Sequence, residues 1–340
     1  MKTIRDMLYP GCTAKILFHY ETCNSLANKR PRDPSRFLGF DASSLPDSIA
    51  DMTNMLALDP NVAPMFNSYK VGTYENTGLL IAMQATAEVG IDFMLNIDKG
   101  VYVTPTATFQ EQQASLTAYL HWCEGAVFSR KNVCRDKAGK IVVTHFANSP
   151  KAADLSASLA MFKAVELMFP YISFVYNVPA LGGNQMAWVQ QDLQANLDWW
   201  CRTYARDSLN FPCFYTGFND DEFGHSAWGG PPRIWPTGGP SAEELQACFA
   251  TINKYYSVAN QPQFMQGVTW NDCDEGTYMG TVKGSMNKWF LPVPPAVNHG
   301  ELWLDGNKLG NVTPGTHALT IVKVYQDGSI VKNQIPLEIV

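Results

Sequence analysis

The chain has 340 residues, of which 46% are hydrophobic and 16% are charged, and its formal net charge at pH 7 is −6. This length and apolar content predict a large packed core and exclude a disordered chain. The negative charge, without a long lysine- or arginine-rich block, argues against nucleic acid as a partner. No membrane partner is expected either, because no stretch of about 18 apolar residues occurs.

The first residues, 1–7, contain no apolar run long enough for a signal peptide. The eight cysteines are scattered, without the paired spacing typical of a zinc site. We therefore expect neither a metal nor a cofactor, and the spacing leaves thiols and disulfides equally open. Nothing in the pattern predicts a large assembly, so a monomer or a small homo-oligomer is expected.

Seven strand-like runs alternate with helical patterns. The strand-like runs are residues 15–20, 65–69, 91–98, 140–146, 171–177, 212–216 and 266–271. The helical patterns are residues 48–58, 77–89, 107–122, 155–169, 193–209 and 242–259. Such alternation predicts a parallel α/β fold. We interpret it as a (β/α)8 TIM-type barrel over residues 1–290, with the eighth strand expected within 278–290.

The pattern changes near residue 297. Short strands joined at Asp-Gly turns follow, and no helical pattern accompanies them. The proline-rich run 291–296 predicts a linker. Residues 297–340 are therefore expected to form a small all-β accessory domain with a sandwich-like arrangement.

Polar side chains end several of the predicted strands. They are His19, Asp98, His145, Tyr176, Asn177 and Asp272. In a parallel barrel the carboxyl ends of the strands share one face, and active sites lie there. The histidines, the tyrosine and the asparagine are candidates for hydrogen bonds to sugar hydroxyls, although each also suits a structural role. Trp228, in a long loop predicted on the same side, is a candidate platform for a sugar ring.

The densest polar group follows the last predicted strand. It comprises Trp270, Asn271, Asp272, Asp274 and Glu275. Hydrolysis of a glycosidic bond needs one protonated carboxyl to donate to the leaving oxygen and a second group as base or nucleophile. Strand alternation places Asp272 and Asp274 on one face, whereas a turn would bring Glu275 back into the site. The residues alone leave the catalytic pair open.

The segment Trp270-Asn271-Asp272-x-x-Glu275 resembles the Trp-Asn-Asp-Tyr-Gly-Glu-Ser signature of glycoside hydrolase family 71, the α-1,3-glucanases or mutanases. This chain differs from that signature at Cys273, Asp274 and Gly276. Weaker similarity covers patches of residues 15–290, namely 17–20, 82–98 and 139–146.

The resemblance implies a barrel enzyme that hydrolyses an α-glucan with inversion of configuration. It implies Glu275 as the general acid, Asp272 as the base or its partner, and Asp98 as a third acidic position. The family is extracellular and degrades polysaccharides, although no signal peptide is predicted in this chain.

Two alternatives remain open. The endo-α-mannosidase group of barrels carries a similar Trp-Asn-Glu run at the corresponding strand, which would make the substrate a mannan. The changed residues around Glu275 also suit a barrel that binds carbohydrate without cleaving it. A polysaccharide or oligosaccharide is the expected partner in every case.

Overall fold

The computed structural model describes residues 2–24, 38–104, 106–147, 154–188, 192–222, 224–226 and 229–292, and the backbone of four further strands between residues 297 and 339. The chain divides into two units, residues 1–292 and 293–340. Among the described residues, no helix has the length and apolar character that a bilayer span requires. All eight cysteines are free thiols, and all except Cys12 are buried.

Eight parallel strands form the main sheet of the first unit. They are β1 Lys15–Tyr20, β2 Val62–Asn67, β3 Met94–Asp98, β4 Ile141–Phe146, β5 Ile172–Tyr176, β6 Asn184–Gln185, β7 Cys213–Tyr215 and β8 Phe264–Val268. Their order in the sheet is β6-β5-β4-β3-β2-β1-β8-β7. This curled parallel sheet is consistent with a TIM-like barrel, as the alternating pattern predicted.

The two edges of the sheet approach each other. Phe211, just before β7, donates its N–H to Gln185 O at 3.1 Å, and Ala187 donates its N–H to Phe211 O at 3.0 Å. Backbone groups that would be unpaired at open edges are thus partly satisfied.

Helices connect the strands. They are α1 Ile4–Met7, α2 Leu45–Leu56, α3 Tyr74–Val89, α4 Phe109–Cys123, α5 Leu155–Met168, α6 Leu193–Tyr204 and α7 Ala242–Tyr255. Local sequence sets their ends. Thr108 and Glu111 form a capping box at the start of α4, and Gly90 ends α3 in the left-handed conformation. The predicted helices are present, but those expected to reach 209 and 259 end earlier, at Tyr204 and Tyr255.

The expected position of the eighth strand was wrong. Residues 278–290 contain no strand. The strand missing from the predicted set is β6, which follows a short 3-10 turn at Pro179–Leu181. Two residues are too few to produce a periodic pattern, so the strand becomes visible only through its pairing with β5.

Two apolar clusters lie on the two faces of the curled sheet, one inside it and one outside. The inner one includes Leu17, Met65, Met94, Val142, Val175 and Phe211. The outer one lies between the strands and the helices and includes Phe18, Phe66 and Phe214. Because neighbouring strand residues face opposite sides, Leu17 and Phe18 belong to different clusters. Toward the carboxyl ends, the inner positions become polar at Asn67, Asn96 and Thr144.

The second unit is described as one antiparallel sheet. Its strands are β9 Val297–Leu304, β10 Asn307–Lys308, β11 Gly315–Tyr325 and β12 Ile330–Ile339, in the order β10-β9-β11-β12. All-β structure was expected here, and the described residues of this unit contain strands and no helix, although β9, β11 and β12 are longer than the short strands predicted. A sandwich needs a second sheet, so the sandwich-like arrangement stays a prediction.

Gly267 in β8 offers a test of the outer packing. A Cβ at this position would lie 2.6 Å from two ring carbons of the buried Phe18 and 3.0 Å from Phe214. We expect Gly267→Ala to lower the free energy of unfolding by about 1–3 kcal/mol, because neither ring has room to move. Chemical denaturation measures this. Gly125→Ala is the control, since a Cβ there meets no atom within 4 Å; equal stability of both variants would contradict the packing argument.

Candidate active site

A cavity of about 520 Å³ lies at the carboxyl ends of the strands. Five residues predicted from the sequence line it, namely His19, Asp98, Asp272, Asp274 and Glu275. Six further side chains on its wall carry the chemistry described below: Glu21, Asn67, Tyr69, Lys99, Phe146 and Trp188. Among the described residues the cavity therefore brings together five carboxylates and one lysine.

A larger groove, of about 890 Å³, lies between α7 and the N-terminal residues. Its charged lining residues are Lys2, Asp6 and Lys288. A single carboxylate provides no acid and base pair, so the smaller cavity is the better candidate for catalysis.

The loop after β8 is fixed by its own polar groups. Asp272 donates its N–H to Thr269 Oγ1 at 3.0 Å, and its Oδ1 accepts the N–H of Glu275 at 3.1 Å. Glu275 O in turn accepts the N–H of Asn219 at 2.8 Å. The next residue, Gly276, has φ +62°, and a Cβ there would lie 2.6 Å from Asn219 O. Only glycine allows this approach, which holds Asp272 and Glu275 at the cavity.

The carboxyl group of Asp272 strongly favours its protonated form. Burial contributes most, and the carboxylates of Glu275 and Glu21 add to it, so that the pKa of Asp272 lies well above its ordinary value. The Glu275 N–H, which favours the ionised form, opposes this rise without cancelling it. A carboxyl whose pKa is raised keeps its proton to higher pH and is better suited to donate it.

Glu21 behaves in the opposite way. Burial acts to raise its pKa, but hydrogen bonds from His19, Tyr69 and Asn67 more than compensate and lower the pKa of Glu21 below its ordinary value. His19 Nε2 lies 3.0 Å from Oε1, Asn67 Nδ2 lies 3.4 Å from Oε2, and the Tyr69 hydroxyl also donates to Oε2. The cavity thus contains one carboxyl biased toward protonation and one biased toward ionisation.

Asp98 ends β3 on the same cavity. Its Oδ1 accepts the N–H of Gly100 at 2.6 Å. Burial raises the pKa of Asp98, and the negative charge of Glu21 adds to this, while the Gly100 hydrogen bond and Lys99 act against it. Asp98 therefore shares the tendency of Asp272 to hold a proton.

Aromatic rings form another part of the wall. Trp188 lies edge-on to Phe146 with ring centroids 4.2 Å apart, and edge-on to His19 at 5.0 Å. Trp188 is only partly buried. A partly exposed indole beside carboxylates provides an apolar surface on which one face of a sugar ring can pack.

Trp270 lies in the core and does not line the cavity. It is 0% exposed, packs edge-on against Phe18, and donates its Nε1–H to Asp51 Oδ1 at 2.7 Å. Asp51, on α2, also accepts the Tyr20 hydroxyl at 2.9 Å. Burial raises the pKa of Asp51 to about 7, against both hydrogen bonds. The contribution of Trp270 to the site is thus to anchor the loop that follows it.

The Asn271 side chain forms hydrogen bonds with backbone groups. Its Oδ1 accepts the N–H of Glu21 at 2.7 Å, and its Nδ2 donates to Glu21 O at 2.9 Å. The same residue's carbonyl accepts Asn24 Nδ2 at 2.7 Å. Asn271 therefore positions Glu21, and the structure does not place its side chain on the cavity wall.

Three other predicted residues also lie away from the cavity. His145 is buried among Tyr102, Phe162 and Tyr176 on the helix side of β4, and burial lowers its pKa to about 3. Tyr176 donates its hydroxyl to Glu166 on α5 at 3.0 Å.

The third residue away from the cavity is Asn177, whose side chain accepts the N–H of Ala147 at 3.0 Å, just beyond the end of β4. The residue at the end of β4 that does line the cavity is Phe146, next to His145, because consecutive strand residues face opposite sides. Trp228 lies outside the described residues.

Glu21 was missed although its signal was available. Leu17, His19 and Glu21 share one face of β1 and its extension. His19 was predicted for the site, so the same alternation would have added Glu21. Tyr69 ends the predicted strand 65–69 but was not selected. No comparable pattern marks Lys99, in the 3-10 turn after β3, or Trp188, in a loop, because their positions depend on tertiary packing.

No metal centre is evident in the described ranges, where no group of three His, Cys, Asp or Glu side chains has suitable geometry. The single lysine on the cavity wall, Lys99, instead provides the positive charge facing the carboxylates.

Two solved structures of the GH99 endo-α-mannosidase from Bacteroides thetaiotaomicron are similar in fold to this chain. One, in complex with bis-tris-propane, aligns with a TM-score of 0.56 over 83% of this chain and 92% of that chain, at 11% identity. The other aligns with a TM-score of 0.52 over 76% of each chain, at 12% identity. At such identity the likeness establishes the barrel fold alone.

Neither models of known protein families nor curated protein sequences match the chain. The resemblance to family 71 therefore stays a prediction. The chain is an α/β protein whose curled eight-stranded parallel sheet is consistent with a TIM-like barrel and which is similar in fold to the GH99 endo-α-mannosidase.

The contact of Asp51 with Trp270, which anchors the loop after β8, can be tested by varying the pH. The folded protein holds the Asp51 proton up to about pH 7, whereas an unperturbed aspartate releases it near 3.8. Its stabilising contribution is therefore complete below about pH 4 and is lost as the pH rises through about 7.

In wild type, the free energy of unfolding should fall between about pH 4 and pH 8 as Asp51 loses its stabilising contribution. In Asp51→Asn we expect this fall to be smaller by up to about 4 kcal/mol. Denaturant titrations at several pH values measure this difference from wild type. Glu88→Gln, at an exposed position on α3, is the control. An unchanged pH dependence in Asp51→Asn would contradict the assignment.

Proposed function

We propose that the protein is a glycoside hydrolase that cleaves an α-linked polysaccharide or oligosaccharide in the 520 Å³ cavity. The observation that carries this proposal is the pair of opposed carboxyl groups. The surroundings raise the pKa of Asp272 and lower the pKa of Glu21 within one cavity at the carboxyl ends of the strands. Acid catalysis at a glycosidic oxygen requires a protonated carboxyl near neutral pH.

Asp272 is the general acid in this proposal. Its Oδ1 accepts the Glu275 N–H, so the proton for the leaving oxygen is placed on Oδ2. Glu275, three residues further along the same loop, is the second catalytic carboxylate and acts as base toward water in an inverting reaction. These roles are the reverse of those implied by the resemblance to family 71, because burial and the neighbouring carboxylates raise the pKa of Asp272.

The aromatic part of the wall supports a sugar as the ligand. Trp188 and Phe146 offer apolar surface beside Asp98, Lys99 and the carboxylates. A pyranose presents the same combination, with C–H groups on its faces and hydroxyls at its edge.

Two polymers are candidate substrates, each for a different reason. The segment Trp270-Asn271-Asp272-x-x-Glu275 favours an α-1,3-glucan. The fold similarity to the GH99 endo-α-mannosidase favours an α-mannan. Both are α-linked, so they share the acid chemistry and differ in the sugar that the wall recognises.

The purified protein should release reducing sugar from α-1,3-glucan or from α-mannan. We expect Asp272→Asn and Glu275→Gln each to lower kcat on the cleaved polymer by about 100-fold or more, because each removes a proton-transferring group. Product analysis by NMR at early times gives the anomer. The β-anomer appearing first would support inversion.

Glu88→Gln is the control for loss of a carboxylate, since this exposed residue lies on α3 outside the cavity. Full activity of both active-site variants would refute the catalytic assignment. Tight binding of a glycan without any product would instead identify a non-catalytic carbohydrate-binding barrel.

The role of Trp188 can be tested separately. We expect Trp188→Ala to raise KM for the cleaved glycan by about tenfold with a smaller change in kcat, because it removes apolar contact from bound sugar. Steady-state kinetics measure both constants. Trp199→Ala is the matched control, since Trp199 is 45% exposed on α6 and does not line the cavity. Equal KM values for the two variants would exclude Trp188 as a sugar platform.

A further inference from the structure

Glu21 is held from several directions at once. Its side chain is 15% exposed, and each carboxylate oxygen has at least one donor from the protein. Oε1 lies 3.0 Å from His19 Nε2, while Oε2 accepts from the Tyr69 hydroxyl and from Asn67 Nδ2. A carboxylate with three such partners favours ionisation and is a poor proton acceptor.

A chain of hydrogen bonds inside the barrel ends at this carboxylate. Thr144 Oγ1 donates to Asn96 Oδ1 at 2.9 Å, and Asn96 Nδ2 donates to Asn67 Oδ1 at 2.9 Å. Asn67 then donates to Glu21. The donors come from β4, β3 and β2 in turn, and Asn96 and Thr144 are fully buried. Because each amide oxygen accepts from the preceding donor, the Asn67 amide is oriented with its N–H toward Glu21.

The loop that carries Asp272 is hydrogen-bonded to the backbone of Glu21. Asn271 accepts the Glu21 N–H and donates to the Glu21 carbonyl. Since Asn271 immediately precedes Asp272, this double contact fixes the position of the loop relative to Glu21. The two carboxyl groups are thereby held in one cavity by adjoining residues.

We infer that Glu21 is a positioning residue of this site: a carboxylate fixed by its hydrogen-bond donors beside the loop of Asp272, which acts on that residue through its negative charge. This role rests on the proposed function for its effect on catalysis. Because Glu21 is fixed and its oxygens have donors, it does not exchange protons with the substrate. It acts through its charge on Asp272.

Other titratable groups line the same cavity as Asp272. They are Glu275 and Asp274 from its own loop, Asp98 and Lys99 from the end of β3 and the residue after it, His19 from β1, and Cys23 and Tyr69. Glu275 contributes more than Glu21 to the protonation of Asp272. Glu275 is itself a catalytic carboxylate in the proposed reaction, so Glu21 is the better residue with which to change the acid alone.

The test is Glu21→Gln, which removes the charge and keeps the side-chain shape. We expect the pKa of Asp272 to fall by about one unit, because one nearby negative charge is lost. Carbon NMR of protein with labelled aspartate carboxyl groups follows this titration without substrate, and Asp272→Asn identifies the resonance. In kinetics, the alkaline limb of the kcat profile should move to lower pH by the same amount.

Glu88→Gln removes one negative charge outside the cavity and is the matched control. A pKa of Asp272 and an alkaline limb equal to those of the control would overturn the inference. If no glycan is cleaved but the pKa of Asp272 still falls in Glu21→Gln, the proposed function fails and the electrostatic role of Glu21 stands.

A second variant keeps Glu21 and changes its surroundings. Tyr69→Phe removes the hydroxyl that donates to Oε2. We expect the Glu21 carboxyl to titrate at higher pH than in wild type, again by carboxyl NMR. An unchanged titration of Glu21 would overturn the claim that these donors hold it ionised.

Discussion

The contact on which the candidate site depends joins the amide of Asn271 to the backbone of Glu21. Both atoms of the amide are used, one accepting at 2.7 Å and one donating at 2.9 Å. This contact ties the loop after β8 to the chain leaving β1. Strands β1 and β8 are neighbours in the sheet, so the contact extends their pairing beyond the last ladder hydrogen bond.

Burial would drive every carboxyl in such a cavity toward its neutral form. The structure gives different outcomes to different residues through the donors it places beside them. Despite burial, hydrogen bonds chiefly from His19, Tyr69 and Asn67 lower the pKa of Glu21. Burial and the neighbouring carboxylates, led by Glu275 and Glu21, raise the pKa of Asp272 against one backbone donor. Opposed environments of this kind allow an acid and an ionised group to coexist at one pH.

The three adjacent residues Trp270, Asn271 and Asp272 have three different structural roles. Trp270 anchors the loop in the core through Asp51, Asn271 orients Glu21, and Asp272 faces the cavity. A motif of this density can therefore indicate a candidate site although only some of its residues lie on the cavity wall.

The alternation of apolar strands with helical patterns was enough to predict the parallel α/β fold, because each strand covered on both faces carries a continuous apolar run. Strand ends also pointed to His19, Asp98 and the loop after β8. Three things were decided by tertiary structure alone. The two-residue strand β6 exists only through pairing, and Tyr69 and Trp188 reach the cavity from loops. His145 and Phe146 lie on opposite sides of the sheet, and which of them reaches the cavity depends on the register of β4. Adjacent residues of a strand lie on opposite sides, so an assignment that is off by one residue moves a side chain from the cavity to the helix layer.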